Sequence, residues 1–361
     1  MKLLRRRRDP AGEQLAAVQP GADEAAADGA AAPPPPPITE TLEQLQAEVE
    51  MLGAANRERP DRETQRRLLR ARHLIGAHRI DGAPAEPQFA PPEAGALRGG
   101  DPLPEFSPAE LTPGLLRAAI LRDGCVLVRG LVPRERALAM AAEIDRAYAE
   151  REHLEAGEQV VDGYYEEFEP HPRFESPWRP WIKMGGGLLA ADSPRLCAEM
   201  MDLFAAAGLR ELVSGYLGEP ALISVHKTTL RKAQPEVGGA WHQDGFFMGP
   251  VRALNLWLSL SRCGDVAPGL DIVPRRIDDY LATGTPGADL SWTISEEEVA
   301  KAAEGVGVIR PIFEPGDALF FDERFLHKTG SDPSMPKPRF AIENWFFGGS
   351  AFPAEYAPIA V

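Results

Sequence analysis

Cysteine is scarce in this chain: Cys125, Cys197 and Cys263 are the only three, far apart and never in C-x-x-C spacing. That excludes a disulfide framework, argues against a cysteine zinc site, and fits a reducing compartment. Basic charge is also short. Acidic residues outnumber basic ones and leave a formal net charge of −15. They are spread along the chain, which argues against a general nucleic-acid binder. Long apolar runs are missing; none reaches the roughly 18 residues of a membrane span. The basic start, Met1-Lys2-Leu3-Leu4 and then Arg5 to Arg8, resembles the n-region of a secretory signal. Asp9-Pro10 and polar sequence follow it where an apolar segment would stand. No internal repeat is visible. A soluble, cytoplasmic protein is expected. What is present is ordinary globular material: 361 residues, 44% of them hydrophobic, enough for one large domain with appendages.

Composition divides the chain. Residues 1–40 are Ala-, Gly- and acid-rich and end in Pro33 to Pro37, so a disordered tail with a stiff polyproline spacer is expected. Residues 41–80 read as a helical hairpin. Thr39 or Thr41 caps the first helix, Leu42, Leu45, Val49 and Leu52 form its stripe, and Gly53 and Pro60 end it. The second helix runs from Asp61 to Ile75. Such a hairpin can pack on the main domain, on a second subunit or on a partner. Residues 81–105 read as a linker, 106–350 as the main domain and 351–361 as a C-terminal tail.

Within the main domain, helices are expected at 111–122, 133–150 and 196–217, with an apolar strand at 124–130. Residues 151–187 are aromatic and irregular. Strands are then expected at 221–231, 239–247, 252–260, 269–273, 306–313, 317–321 and 339–347. Helices followed by many short strands predict an α+β, mainly β fold. The expected core is a double-stranded β-helix, a jelly-roll or cupin-like architecture flanked by helices.

The chemistry concentrates in Trp241-His242-Gln243-Asp244. On a strand, a His-x-Asp pair puts both side chains on one face. Two residues of this kind plus the distant His327 make a 2-His-1-carboxylate set, which binds Fe(II) and leaves positions open. A lone histidine is ordinarily a satisfied core or surface residue, and a lone His-x-Asp is weak evidence. The conjunction is more specific: the pair, a late histidine after the turn Pro315-Gly316-Asp317, and Arg339 twelve residues further on. An inward arginine in an apolar strand needs an anion. A bound dicarboxylate or a structural ion pair would each supply it.

His242-Gln243-Asp244, His327 and Arg339 together resemble the phytanoyl-CoA dioxygenase family of Fe(II)/2-oxoglutarate oxygenases, over about Phe106 to Phe347. The resemblance implies His242, Asp244 and His327 as iron ligands and Arg339 as the anchor for the distal carboxylate of 2-oxoglutarate, with O₂ as the second co-substrate. It also implies co-substrate contacts from Lys183, Thr228, Trp257 and Thr329. The implied reaction is hydroxylation of a C–H bond in a small-molecule or acyl-type substrate, releasing succinate and CO₂. The retained Asp244 favours hydroxylation over halogenation, while desaturation, epoxidation and ring closure stay open.

The chain departs from many relatives between Ala267 and Arg276, where it reads Ala-Pro-Gly-Leu-Asp-Ile-Val-Pro-Arg-Arg. Fatty-acyl specificity is therefore not carried over. Segments 151–187 and 275–305 are lid candidates. Tyr164, Tyr165, Trp178 and Trp181 either line a pocket or fill the core, and Arg275 and Arg276 either meet an anionic substrate or are solvated. His226 and Lys227 lie on a neighbouring strand, His226 as a support for a ligand or a buried structural histidine. The alternatives to an oxygenase are a cupin-like metal-binding protein, a metal enzyme that does not use 2-oxoglutarate, and a scaffold with a vestigial enzyme domain. Partners expected are a small-molecule substrate, no nucleic acid, no membrane, and self-association or docking through the N-terminal helices.

Overall fold

The computed structural model describes residues 34–97, 103–159, 163–248 and 251–361. Most of the tail expected at 1–40, and part of the linker expected at 81–105, lie outside them. Two helices open the described chain, α1 (Leu42–Glu58) and α2 (Arg62–Asp81). Thr41 and Gln44 close a reciprocal capping box on α1, and Asp61 caps α2. Helix α1 runs through Gly53, where sequence alone places its end. A glycine costs a helix only about 1 kcal/mol, and Leu52 and Asn56 on either side of it are buried.

The main domain continues with β1 (Glu105–Phe106), α3 (Pro113–Asp123), β2 (Cys125–Val128), α4 (Arg134–Glu155), α5 (Arg179–Met184) and β3 (Gly187–Leu189). Next come α6 (Pro194–Ala206) and α7 (Leu209–Leu217), which sequence alone reads as one helix. Gly208, at φ 68°, breaks them apart in a left-handed conformation that glycine adopts without strain. Strand β4 (Leu222–Ala233), the turn α8 (Gly245–Met248), β5 (Ala253–Ser259), β6 (Gly269–Ile272) and α9 (Glu296–Ala302) follow. The chain ends with β7 (Ala318–Phe321), β8 (His327–Gly330), β9 (Arg339–Phe347) and β10 (Pro358–Ala360).

The strands form two sheets. The larger has the order β1-β2-β7-β5-β9-β4-β10, with β3 added against β4, and the smaller pairs β6 with β8. All but the β1–β2 pairing are antiparallel. Alternation sorts each strand's side chains onto two faces. On one face Val126, Leu230, Leu256, Phe320, Ile342 and Phe346 pack under the helices. On the other, Leu127, Trp257, Leu319, Phe321 and Trp345 meet Leu270 and Ile272 of the small sheet. The result is a helix-flanked double-stranded β-helix with an interior between the two sheets.

Three expectations are corrected here. Residues 239–247 are not a strand: His242 makes an isolated bridge to His327, and the chain turns into α8 at Gly245. Residues 306–313 make only isolated bridges at Ile309 and Phe313, because Gly307 and Pro311 interrupt the run. The C-terminal residues are not a tail, since β10 pairs with β4. Helix α2 lies against that strand. The backbone oxygen of Pro358 is 2.7 Å from His73 Nδ1, and Arg72 donates to the backbone oxygen of Ala360 at 3.0 Å. A Cβ on Gly76 would come within 2.8 Å of Pro358 Cβ, so this helix and strand touch only because position 76 lacks a side chain. Among the described residues, no helix is long and apolar enough to cross a membrane.

Candidate metal centre

His242 and His327 face each other across a two-residue bridge. The N–H of each donates to the other's carbonyl, at 3.1 and 3.2 Å, and their rings are 4.5 Å apart. Asp244 reaches the same point from the first turn of α8, where its carbonyl accepts from Phe247 N at 2.9 Å. His327 Nε2 lies 3.5 Å from Asp244 Oδ2, and one ligand atom from each of the three residues lies within 4.8 Å of the others. The side chain between them, Gln243, is a strut. Its amide donates to the carbonyls of Arg324 (2.6 Å) and Asp279 (3.2 Å), and its oxygen accepts from Leu281 N (2.8 Å). It ties the turn to two neighbouring loops.

The donor set suits a divalent transition metal. His242 Nδ1 is 2.7 Å from the Ala240 carbonyl and His327 Nδ1 is 3.1 Å from that of Phe325. Each Nδ1–H is thereby used, leaving Nε2 with its lone pair. Burial, and His242 beside it, hold the His327 imidazole below its ordinary pKa and so neutral at physiological pH. Asp244 Oδ2 is buried without any hydrogen-bond partner. A buried carboxylate oxygen left so is costly. A cation among these three groups would satisfy it.

Next to this cluster the interior face of the large sheet is polar. Register puts Thr229, Glu343 and Trp257 side by side across β4, β9 and β5, and Trp345 beside Asn255 one row along. Asn255 Oδ1 and Nδ2, Trp345 Nε1, Thr229 Oγ1 and Arg339 Nε are all buried and unpartnered. Arg339 is 3% exposed, donates once, to the Gly269 carbonyl at 3.0 Å, and stands over Trp257 with its guanidinium carbon 5.3 Å from the ring. Among the described residues no carboxylate pairs with it, so it is not a structural ion pair. Burial pulls its pKa down to about 10. The ion pair belongs instead to Arg231 and Glu343, at 2.8 Å. Burial raises the Glu343 carboxyl, but the Arg231 guanidinium outweighs that and holds it below its ordinary value.

The other anticipated positions divide. Trp257 lines this interior, and Thr329 shares a strand face with His327 two residues before it. Thr228 does not. It stands opposite Asn344 and donates to Asn344 Oδ1 at 2.8 Å, on the face turned to the helices. The register shift in β4 between Ile223 and Thr228 defeats counting from sequence, and one residue of slip reverses the face. Thr229 is the inward residue. Lys183 is also displaced: it lies on α5, exposed, and pairs with Glu155 at the end of α4. Glu343 and Trp345 share Arg339's parity along β9, and Asn255 shares Trp257's along β5, so counting by twos would have found them.

Of the lid residues, Tyr164 and Tyr165 belong to the core and Trp178 is exposed. Trp181 begins an aromatic chain to the cluster: Trp181–Trp292 at 5.9 Å, Trp292–Phe247 at 5.0 Å and Phe247–His242 at 6.0 Å. Arg275 donates to the carbonyls of Ala302 and Glu304, and Arg276 pairs with Asp278 and Asp322, so both tie down the 275–304 segment. His226 stacks on Tyr356 at 4.9 Å and its Nδ1 accepts from Ala357 N at 3.3 Å, a structural role.

The model of the family described as Phytanoyl-CoA dioxygenase (PhyH) matches residues 120–339, well over half of the chain. No curated protein matches it by sequence. Similar solved structures include EctD from S. alaskensis with 2-oxoglutarate and 5-hydroxyectoine, at 18% identity and a TM-score of 0.49, covering 74% of this chain and 86% of that one. The alpha ketoglutarate dependent epimerase SnoN from nogalamycin biosynthesis is 21% identical, with a TM-score of 0.39, covering 65% of this chain and 82% of that one. EvdO2 from Micromonospora carbonacea var. aurantiaca, complexed with 2-oxoglutarate, is 18% identical, with a TM-score of 0.43 and coverage of 68% and 91%.

Proposed function

The chain belongs to the phytanoyl-CoA dioxygenase family of Fe(II)- and 2-oxoglutarate-dependent oxygenases, and on that premise we propose that it hydroxylates a C–H bond of a small molecule, consuming 2-oxoglutarate and O₂. His242, Asp244 and His327 would hold Fe(II), and Arg339 would grip the distal carboxylate of 2-oxoglutarate. When bound, the metal and its co-substrate supply the oxidising power, with 2-oxoglutarate leaving as succinate and CO₂.

This chain's own residues do the positioning. The Ala240 and Phe325 carbonyls orient the two imidazoles. Arg339, enclosed and already held by Gly269, offers its remaining N–H groups in a fixed fork that matches a carboxylate. Trp257 walls that fork, and Thr229 Oγ1 and the Asn255 amide offer further polar contacts in place of the anticipated Thr228 and Lys183. Thr329 is retained as a contact on the His327 side. Asp244 as a ligand favours hydroxylation over halogenation. The departure at 267–276 favours a substrate other than phytanoyl-CoA.

The observation that carries the reading is the buried Arg339, paired with no carboxylate among the described residues, on the interior that also holds the His-Asp-His cluster. A metal protein without 2-oxoglutarate would have no use for that arginine. The test is anaerobic titration with Fe(II) and 2-oxoglutarate, following the visible charge-transfer band, with metal binding read separately by Mn(II) calorimetry. Arg339→Met should keep Mn(II) and weaken 2-oxoglutarate by about 100-fold, the worth of two charge-assisted hydrogen bonds. Asp244→Ala should lose the metal. Unchanged 2-oxoglutarate affinity in Arg339→Met would sink the anchor assignment.

A further inference from the structure

We propose that Lys227 is the anchor for an anionic group on the substrate, and that Phe247, Trp292 and Trp181 receive the apolar body that carries it; this rests on the oxygenase reading above. Among the described residues, three cations share the inward parity of Thr229 and Glu343: Arg231 and Lys227 on β4 and Arg339 on β9. Arg231 has Glu343 as its partner. Arg339 suits the co-substrate. Lys227 has neither an ion pair nor a hydrogen bond among the described residues, and its ammonium stands 5.6 Å from the Phe247 ring centre. Its side chain is half-buried yet closely surrounded by protein. Burial pulls the ammonium below its ordinary pKa, Asp244 and Glu343 partly restore it, and Arg231 opposes them. An unpaired enclosed ammonium costs stability. An incoming anion would offset that cost.

Position separates this cation from the co-substrate. Arg339 stands opposite Ala233, and Lys227 lies six residues back along β4. At about 3.3 Å per residue that is roughly 20 Å of strand. A five-carbon diacid gripped by Arg339 is far shorter. Thr229 and Glu343 lie between the two ends, and the metal cluster lies alongside. The Lys227 end is also where the aromatic chain runs outward, from Phe247 beside His242 to Trp292 and Trp181. Phe246, next in sequence to Phe247, is 47% exposed, which leaves an apolar rim. A lysine is a point charge that takes a carboxylate or a phosphate, so the predicted substrate is an anion on an apolar, preferably aromatic, frame.

The test uses calorimetry on the full chain with Mn(II), with and without 2-oxoglutarate, and matched probes. One pair is 3-phenylpropionate against 3-phenylpropionamide, and the other is 2-phenylethyl phosphate against 2-phenylethanol. In at least one pair the anion should bind at least about tenfold more tightly, the worth of one charge-assisted hydrogen bond. Lys227→Met should abolish that preference, keep 2-oxoglutarate affinity, and melt at or above the wild-type temperature without ligands. Absence of the preference in wild type, including no binding by any probe, overturns the proposal. Loss of 2-oxoglutarate affinity in Lys227→Met also overturns it, by giving the lysine to the co-substrate. Failure of wild type to bind 2-oxoglutarate sinks the oxygenase reading instead, and the probe preference without 2-oxoglutarate reads separately from that.

Discussion

Thr228 and Thr229 are chemically identical neighbours with opposite fates. Thr228 bonds Asn344 under the helices, while Thr229 turns its unpartnered hydroxyl into the barrel. Their valine variants should separate accordingly. Thr228→Val leaves Asn344 Oδ1 without its donor and should cost about 1–3 kcal/mol of stability, read as a lower melting midpoint with 2-oxoglutarate affinity unchanged. Thr229→Val should melt at or slightly above wild type and weaken 2-oxoglutarate several-fold, since it removes a hydroxyl that only a ligand would satisfy. The reverse pattern would put the wrong threonine in the site. The candidate metal cluster was legible from sequence as residue types: His242, Asp244 and His327 come together, and Arg339 is buried on the interior face of the large sheet. The polar lining around them was not, because its facing depends on pairing register and on a bulge that leaves no mark in the residues.

At the scale of elements, the docking of α2 on β10 depends on a neutral histidine. His73 is buried, with Nδ1 on the Pro358 carbonyl and Nε2 accepting from His171 N at 2.9 Å. Nε2 can accept only while unprotonated. Burial drops its pKa from 6.5 to about 4. The folded value lies below the unfolded one, so the unfolded chain takes up the proton first. Stability is therefore lost as pH falls from about 6.5 towards 4, by roughly 3 kcal/mol for this group. His226, also pulled down to about 4 by burial, adds in the same direction. Thermal melts at pH 7 and pH 5 check this: His73→Gln should lose less stability between the two than wild type does. Equal losses would show that the docking does not titrate through His73. Sequence signalled both helices through caps and periodicity. It did not signal β10, three residues that become a strand only because β4 offers an open edge beside them.

For the whole molecule, the N-terminal helices complete the fold. Leu69 joins the main core, and Leu74 and Ile75 cover Leu222 and Ala360. Each buried aliphatic side chain contributes about 1.5–3 kcal/mol, so losing the hairpin forfeits an amount comparable to the whole stability of a domain. A chain beginning at residue 82 should aggregate or melt without cooperativity, by size-exclusion chromatography and circular dichroism. A cooperative melt at the wild-type midpoint would make the hairpin a separable appendage.

By itself the sequence determined the family and, with it, the class of chemistry. Two histidines, a carboxylate and an inward arginine at these spacings admit few uses, and strand periodicity along 253–259, 318–321 and 339–347 was enough to place an arginine on an interior face. Tertiary structure decided what periodicity cannot encode. Asp244 reaches the cluster through a turn braced by Gln243 and not through a strand. Thr229, not Thr228, faces the interior, Lys183 pairs with Glu155, and Lys227 is left with no ion pair or hydrogen bond among the described residues. Each of these depends on contacts between separate segments, 28 residues apart for Lys183 and Glu155 and 81 for Gln243 and Arg324, or on a local break in alternation, and neither is written in the order of neighbouring residues.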